Sequence, residues 1–536
     1  MITTQVNDTH DEWPIHVKHV SPCNIQDIIE DMRPALQTQT RHVLQYFQVA
    51  FLAAVPISHL PSIIELSAPQ IVFLLKVGLF EKIDAEIPLG PRLHIFLVLE
   101  HHKQRWRLIV HTMDINRFSA DYAVGELNFE ELQTMIEFHL ERPYFVYQND
   151  AAAYYHQFLL PKETRRFYSF FVEGFGKLAL TTIATGQRQC VEVAQCVSRH
   201  LNEKAGRMAR NLVSQSAYID NFKGAAIEEK DAAVGAAWLL RVANYYNVTM
   251  NDGLQKPLQS FEHRGILFEH NRTMIVRLGS KTSLKVQDLR THRLNRIADW
   301  SIVELQQVFG LLIYASAVLN IPMHIYYYCF KLVRRRMHQL ALGELTIQGS
   351  NNETPARVWP STFVNWIDWT DKVASHPGRL RHPQPIDTTH VLVSDASMYG
   401  CGGVCFDLQR NETSTFGSSW SAMGIAASQH HINVLEMKAL IAAVHRLLPS
   451  GAKVQLLVDN TTVMHTTRKQ YSASFALNAH MKDFPDDVTI VSIDYIKSAE
   501  NPADALSRGA QEQDLNEQLL VKTLERGRAG RAEGAD

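Results

Sequence analysis

Four acids in the last third of the chain could together carry out phosphoryl chemistry. Asp395 closes a β-branched run, HVLVSDAS, Glu436 lies within INVLEMKALIAAVHRLL, Asp459 ends VQLLVDN, and Asp504 opens the final helical stretch of ENPADALSR. Successive members are 41, 23 and 45 residues apart. Phosphodiester hydrolysis on a pair of Mg²⁺ or Mn²⁺ ions needs three or four carboxylates converging on metals roughly 3.5–4 Å apart. One ion activates water and the other stabilises the leaving oxygen. Each acid also has a plainer explanation. Asn433 and Glu436 have capping-box spacing, Asn501-Pro502-Ala503-Asp504 reads as a helix start with its favoured acid, and Asp395 and Asp459 are ordinary strand-end residues. Glu436 stands apart because it shares a helical stripe with Leu440, Ala443 and Leu447, which should be buried. A buried carboxylate requires something positive beside it.

The elements that must position these acids form an α/β unit over about 389–509, read as strand, strand, helix, strand, strand, helix. A Gly-rich turn, YGCGG, follows Asp395. Upstream, from about 60 to 270, an apolar helix (PQIVFLLKVGLFEKI) precedes strand-like runs (RLHIFLVLEHH, RWRLIVHTMD) and further helices, again a mixed α/β pattern. Residues 298–340 read as two helices broken at Pro322, and 341–388 as a loop-rich linker containing GSNNETP and HPGRLRHPQP. Residues 1–40 are polar with a few helical stretches, and the tail ending GRAGRAEGAD has too little apolar content to fold alone.

Composition narrows the class. Lys+Arg 53 against Asp+Glu 55 leaves a net charge of −2, so any nucleic-acid surface must be a local groove or stripe. The six cysteines are scattered with no CxxC pair, which argues against a zinc knuckle or disulfide scaffold and for a reducing compartment. The longest apolar run, 308–319, falls short of the roughly 20 residues that span a bilayer. The N-terminus lacks a signal-peptide pattern. These features predict an intracellular protein, cytoplasmic or nuclear, with no membrane partner.

The set Asp395, Glu436, Asp459 and Asp504, with NPADALSR around the last, resembles the catalytic constellation of type 1 ribonuclease H, over about 120 residues. That resemblance implies four metal ligands and cleavage of the RNA strand of an RNA–DNA hybrid, leaving a 3′-hydroxyl and a 5′-phosphate. Recognition would rest on 2′-hydroxyls and hybrid shape. Many relatives carry a histidine on the loop before the last acid; here that loop reads IKSAEN, which implies altered turnover or product release.

Ahead of it, five segments in order resemble reverse-transcriptase motifs. Asp150 follows YFVYQ, and Tyr155, five residues on, matches the bulky residue that excludes a ribose 2′-hydroxyl. TGQRQCVEVAQ keeps the Gly186, Cys190 and Gln195 spacing of the next motif, with Val191 where relatives carry proline. SAYIDNF supplies Tyr218 and Asp220 of the polymerase hairpin, with Asn221 at the position of a second aspartate; alone it could be a type I′ turn. RWRLIVHTMDIN resembles the fingers motif that grips the incoming triphosphate, with Arg107 at its basic position and His111 and Met113 departing from the pattern. FEHRGILF resembles the primer grip through Gly265. The resemblance implies that Asp150 and Asp220 bind metal, two Mg²⁺ (or Mn²⁺) per active site. Asn221 keeps an oxygen acceptor but removes one negative charge near two cations.

The implied architecture is a polymerase right hand followed by a helical connection and an RNase H-like α/β domain. It divides into an extension over 1–60, fingers and palm over 61–275, thumb and connection over 276–340, a linker over 341–388, RNase H over 389–510 and a partly disordered tail over 511–536. Two basic rows, Lys331, Arg334 and Arg335 (with Arg336 beside them), and Arg290, Arg293 and Arg296, would follow phosphates in a salt-dependent manner. Either row could equally be a solvated helix face. The aromatic string YYYCF, 326–330, reads as core. FVNWIDWTDKV, VLVSDASMYGCGG and HHINVLEMKAL most resemble DIRS-type elements, which move with a tyrosine recombinase, and among these the trypanosomatid VIPER elements. The implied partners are an RNA template, a DNA primer, RNA–DNA hybrid and dNTPs, with a recombinase and a gag-like protein supplied from elsewhere in the element. Two other readings stay open: a nuclease on a polymerase-dead, hybrid-binding platform, and a scaffold without turnover.

Overall fold

The computed structural model describes residues 14–16, 22–47, 61–119, 122–270, 274–345, 354–380 and 388–532. The chain is a mixed α/β protein of two compact units, Met1–Met135 with Pro143–Phe261, and Ile136–Arg142 with Glu262–Asp536.

In the first unit, strands Phe145–Asp150, Asn221–Ala226 and Ser214–Tyr218 form an antiparallel sheet with Asn221–Ala226 in the middle. Helices Arg188–Ala209 and Glu229–Tyr245 pack on it. The 22-residue Arg188–Ala209 helix buries small and polar residues alike, among them Ala194, Gln195 and Ser198. Its backbone can therefore approach the sheet closely. The fingers-like strands His94–Glu100 and Arg105–His111 form a hairpin extended by Ile63–Glu65. The polar N-terminal stretch is no appendage: helices Ile25–Asp31 and Pro34–Gln45 bury Ile28, Ile29, Leu36 and Val43 in this unit's core. The Lys204 ammonium and the Tyr246 hydroxyl both donate to Asp31, tying the first helix down.

In the second unit, five strands run in the spatial order Glu412–Ser419, Gly400–Asp407, His390–Ala396, Lys453–Val458, Thr489–Tyr495. The first three are antiparallel and the last two lie parallel to His390–Ala396. This is the RNase H-like arrangement. The expected element order omitted the strand Glu412–Ser419 and the helices Thr461–Lys469 and Phe475–His480. The strand's sequence, ETSTFGSS, is polar because it forms the exposed sheet edge, and so it lacks the apolar alternation that marks a half-buried strand.

Helices Ile302–Leu319 and Tyr327–Ala341 flank Pro322. The first is 18 residues long, with mean hydropathy 1.7, and so meets a membrane-span criterion that the 308–319 run alone does not. It also buries Leu305, Val308, Leu312 and Leu319 in the core of this unit, and its start is capped reciprocally by Ser301 and Glu304.

Two expectations need correction. Of the 341–388 linker, 346–353 and 381–387 lie outside the described residues, but the rest includes a helix that contributes to the core. Helix Phe363–Ser375 buries Trp366 and Trp369 completely, Trp369 stacking on Tyr326 at 4.6 Å and donating to Ser316 Oγ at 2.7 Å. Flanking Gly and Pro residues disguised an amphipathic FVNWIDWTDKVAS helix. The tail likewise forms a helix, Glu517–Ala532, with Leu520 and Leu524 packed against a core cluster. Its few leucines suffice because a ready apolar face receives them. Residues 533–536 lie outside the described residues.

Candidate functional sites

In the second unit, the pairing of Ser394 with Val458 sets the ends of two parallel strands side by side, so that Asp395 and Asp459 emerge together. The Ile432–Leu447 helix brings Glu436 to them. One carboxylate oxygen from each of Asp395, Glu436 and Asp459 lies within 4.8 Å of the others.

Two glycines permit this convergence. A Cβ on Gly402, which pairs with Asp395, would lie 2.6 Å from Ala503 O and 2.7 Å from Leu506 Cβ. A Cβ on Gly403, pointing to the other face, would lie 2.7 Å from Ala443 Cβ. The helix bearing Glu436 and the segment bearing Asp504 thus press on opposite faces of one strand where it has no side chains. Gly402→Ala should cost roughly 1–3 kcal/mol through overpacking against backbone, measured as a lowered urea midpoint.

The electrostatics are those of a cation site. Asp395 is pushed up to about 7, first by burial and then by Asp459 and Asp504, against hydrogen bonding from Ser507. Glu436 is pushed up to about 9 by burial and by Asp395 and Asp459. The positive side chain expected beside Glu436 is not among the groups acting on it, which are all acids apart from the Ala396 backbone. Asp395 Oδ2 and Asp459 Oδ1 are buried without a hydrogen-bond partner. Three convergent hard-oxygen donors, two of them orphaned, fit a divalent metal such as Mg²⁺ or Mn²⁺.

Asp504 does not join the cluster. Its carboxylate is held by the Arg508 guanidinium in a forked pair at 2.9–3.1 Å, although its charge still acts on Asp395 and Glu436. Of the simpler helix-cap explanations, the one for Asn501 holds, its Oδ1 accepting from Ala503 N at 2.9 Å, and the one for Asn433 and Glu436 does not. The cap of the Glu436 helix is His431, and Asn433 instead accepts from Asn460 Nδ2 at 2.9 Å. Asn501, buried, donates to Ser394 O at 3.1 Å and to Asp395 Oδ1 at 3.4 Å. Sequence reasoning missed this positioning role, although Asn501 stands within NPADALSR.

In the first unit, Asp150 pairs across the sheet with Asn221, and Ala151 N donates to Asp220 O at 2.8 Å, placing both aspartates at one strand end. Burial raises both, and Asp220 adds to the shift of Asp150. Arg107 and Lys103, from the fingers hairpin, oppose the shift of Asp220, and Lys103 that of Asp150. Arg107 is half exposed and reaches Glu100 at 4.0 Å. Tyr155 is mostly buried, and the charge of Asp220 reaches it. Asn221 donates to Asp220 Oδ1 at 2.9 Å.

The hairpin turn is not type I′, which would need positive φ at both central residues. Only Ile219 has it, at +57°, an outlier for a β-branched residue. Gln195 holds the turn. Its Oε1 accepts from Ile219 N at 2.8 Å and its Nε2 donates to Ala217 O at 3.0 Å, while Ser198 Oγ donates to Ile219 O. Gln195→Ala would orphan two buried backbone groups, and an unfolding cost of about 1–3 kcal/mol is expected in urea titration. Tyr218 packs on Phe129 with ring centroids 4.5 Å apart. Gly186 O accepts from Asn116 Nδ2 at 2.8 Å, and Asn116 Oδ1 from Arg188 N at 3.1 Å, so Asn116 joins the short helix Met113–Phe118 to the start of the Arg188–Ala209 helix. Asn116, Ser198 and Lys103 escaped the sequence reading because their roles depend on tertiary approach.

Of the basic rows, Lys331, Arg334 and Arg335 are exposed and make no ion pair among the described residues. Arg336 is buried and donates to Ala356 O and Arg357 O, so it belongs to the core. The second row needs correction. Arg290 pairs with Asp371 at 2.8 Å and Arg293 approaches Glu304 at 3.9 Å, so two of its charges are already neutralised. The helix there also widens over Leu289–Arg293 and kinks at Arg296, which removes the regular face assumed for the row.

No protein-family model and no curated protein matches the sequence. Among solved structures, the chain is similar to a foamy viral protease-reverse transcriptase in complex with double-stranded DNA. The TM-score is 0.43 and the identity 13%, covering 90% of this chain and 84% of that one. A second structure of that protein with dsDNA gives TM-score 0.43 and 13% identity over 91% and 99% of the two chains. A third, with an RNA/DNA hybrid, gives 0.40 and 13% over 89% and 62%.

Proposed function

We propose that the chain is a reverse transcriptase with ribonuclease H activity, copying an RNA template from a DNA primer and cleaving the RNA strand of the resulting hybrid. The observation that carries this reading is the Asp395–Glu436–Asp459 cluster, its first two acids buried, with two orphaned oxygens at the strand ends of an RNase H-like sheet. Asp395, Glu436 and Asp459 would hold divalent metal there, with Asp504 completing the set if Arg508 releases it. Asp150 and Asp220 would do so in the polymerase site, each site taking two ions. Bound Mg²⁺ would supply Lewis-acid activation of water and stabilisation of the leaving oxygen. The chain's own residues orient: Asn501 fixes the Asp395 carboxylate, and Gln195 fixes the hairpin that presents Asp220. Arg107 and Lys103, whose positive charges act on Asp220, would bind a dNTP triphosphate, and Tyr155 would exclude a ribose 2′-hydroxyl. Such a chain would serve retrotransposition, and the DIRS-like segments favour an element mobilised with a tyrosine recombinase and a gag-like protein.

One observation favours a second reading, a nuclease on a polymerase-dead platform. Asn221 donates into Asp220 Oδ1 and so occupies an oxygen that a metal would use. A labelled RNA–DNA hybrid with a recessed DNA 3′ end, incubated with dNTPs and Mg²⁺, separates the readings. Extension and RNA cleavage together support the bifunctional enzyme. Cleavage alone supports the platform, and a bound hybrid with neither product defeats both.

A further inference from the structure

The aromatic string 326–330 is divided between core and surface. Tyr326, Cys329 and Phe330 are buried, but Tyr328 is 46% exposed. Beside it stands Phe475, 54% exposed, from a separate short helix. The ring centroids of Tyr328 and Phe475 are 6.0 Å apart, and Tyr327 completes the group at 5.5 Å from Tyr328 and 5.4 Å from Phe475. The group is held in place from below. Asn478, buried, donates to His324 O and accepts from Ser472 N at 3.0 Å, while Phe330 stacks on Tyr471 at 4.2 Å.

Exposed aromatic area of this kind is costly unless something covers it, and the surrounding charge indicates what does. Lys331 and Arg335 follow Tyr328 by three and seven residues, on the same exposed face of the Tyr327–Ala341 helix. Arg334 lies 5.8 Å over the Tyr327 ring. All three cations lack an acidic partner among the described residues. Open π-faces beside a row of unpaired cations match the two halves of a single-stranded nucleic acid, which offers unstacked bases and a phosphate every nucleotide. A duplex hides its base faces and would use only the cations. A second copy of this chain would have to bring acids to meet them.

We propose that Tyr328 and Phe475 form a base-stacking platform, flanked by Lys331, Arg334 and Arg335, that binds a single-stranded stretch of template or displaced strand. The inference rests on the nucleic-acid reading above and adds a site separate from both acid clusters.

The test uses the full chain in EDTA, where no turnover occurs, and fluorescence anisotropy with labelled oligo(dT) of roughly 20 nucleotides. Phe475→Ala and Tyr328→Ala should each weaken binding about tenfold, the size of one lost base–aromatic stack. Phe475→Trp should retain it, and Lys331→Ala should flatten the dependence of log K on log salt by about 0.7. Both aromatic residues are half exposed, so thermal melting should confirm that the variants fold. Oligo(dT) binding by the alanine variants equal to wild type would overturn the proposal, even if both enzymatic activities were intact. So would sedimentation showing that Phe475→Ala dissociates a dimer, which would make the platform an interface between copies. Failure of the hybrid assay for catalysis would leave this binding measurement standing.

Discussion

Glu436→Gln should abolish RNA cleavage, by roughly 10³-fold, and at the same time raise the melting temperature of the metal-free protein. Both effects come from one cause. Burial and the neighbouring acids lift Asp395 from the usual 3.8 to about 7 and Glu436 from 4.5 to about 9. The folded state therefore binds protons that the unfolded chain has released. The contribution of such groups is most favourable below their unfolded values and is lost as pH rises through the folded ones. Metal-free wild type should accordingly lose stability between about pH 4 and pH 9, the window bounded by the unfolded values of 3.8 and 4.5 and the folded ones of about 7 and 9. At neutral pH Glu436, pushed up to about 9, is protonated in the folded protein, so glutamine removes the cost of taking up that proton on folding. The variant should be more stable by about 0.5–2 kcal/mol and its melting temperature should fall less with pH. Because the ligands must deprotonate to bind metal, Mg²⁺ or Mn²⁺ affinity measured by isothermal titration should increase with pH in wild type. A melting temperature with the same pH dependence in wild type and Glu436→Gln would defeat this account of the site.

Asp150→Asn and Asp220→Asn should each reduce primer extension by roughly 10³-fold, with RNA cleavage retained. Both carboxylates lie at one strand end and both are raised by burial, so each supplies negative charge that a cation would relieve. Asn221→Asp is the informative partner. It removes the 2.9 Å hydrogen bond into Asp220 Oδ1 and adds a third carboxylate beside the pair. Extension should rise about tenfold, the size of a favourable charge placed near bound divalent ions. Extension in Asn221→Asp but none in wild type would establish the polymerase-dead reading. No extension in any variant, with the fold intact, would remove the polymerase.

The acids were legible because chemistry restricts residue type and topology restricts where those types can stand. Asp395 and Asp459 announced themselves as strand ends, and the pairing of Ser394 with Val458 brings them together. Glu436 was legible from a periodicity that put a charge on a buried face. What was not legible depended on approach between distant segments. Asn501 caps Ala503 N as its sequence suggests but also reaches Asp395, 3.4 Å away, and the pairing of Arg508 with Asp504 joins residues whose side chains meet only in the folded turn. The Arg290 row looked free because its acidic partner Asp371 lies 81 positions along the chain. The supposed linker failed for a related reason: loop-forming residues at its two ends concealed a helix whose tryptophans are recognisable as core only once the surface they meet is known.

That buried helix determines where the chain can be cut. A fragment ending near residue 340 would retain the Ile302–Leu319 and Tyr327–Ala341 helices but lose Trp366 and Trp369, exposing Tyr326, Phe330 and Trp300, which pack against them. Each lost tryptophan is equivalent to a large-to-small core deletion of about 3–5 kcal/mol, more than a marginally stable domain can absorb. An N-terminal fragment that keeps the Ile302–Leu319 helix must therefore carry the Phe363–Ser375 helix with it.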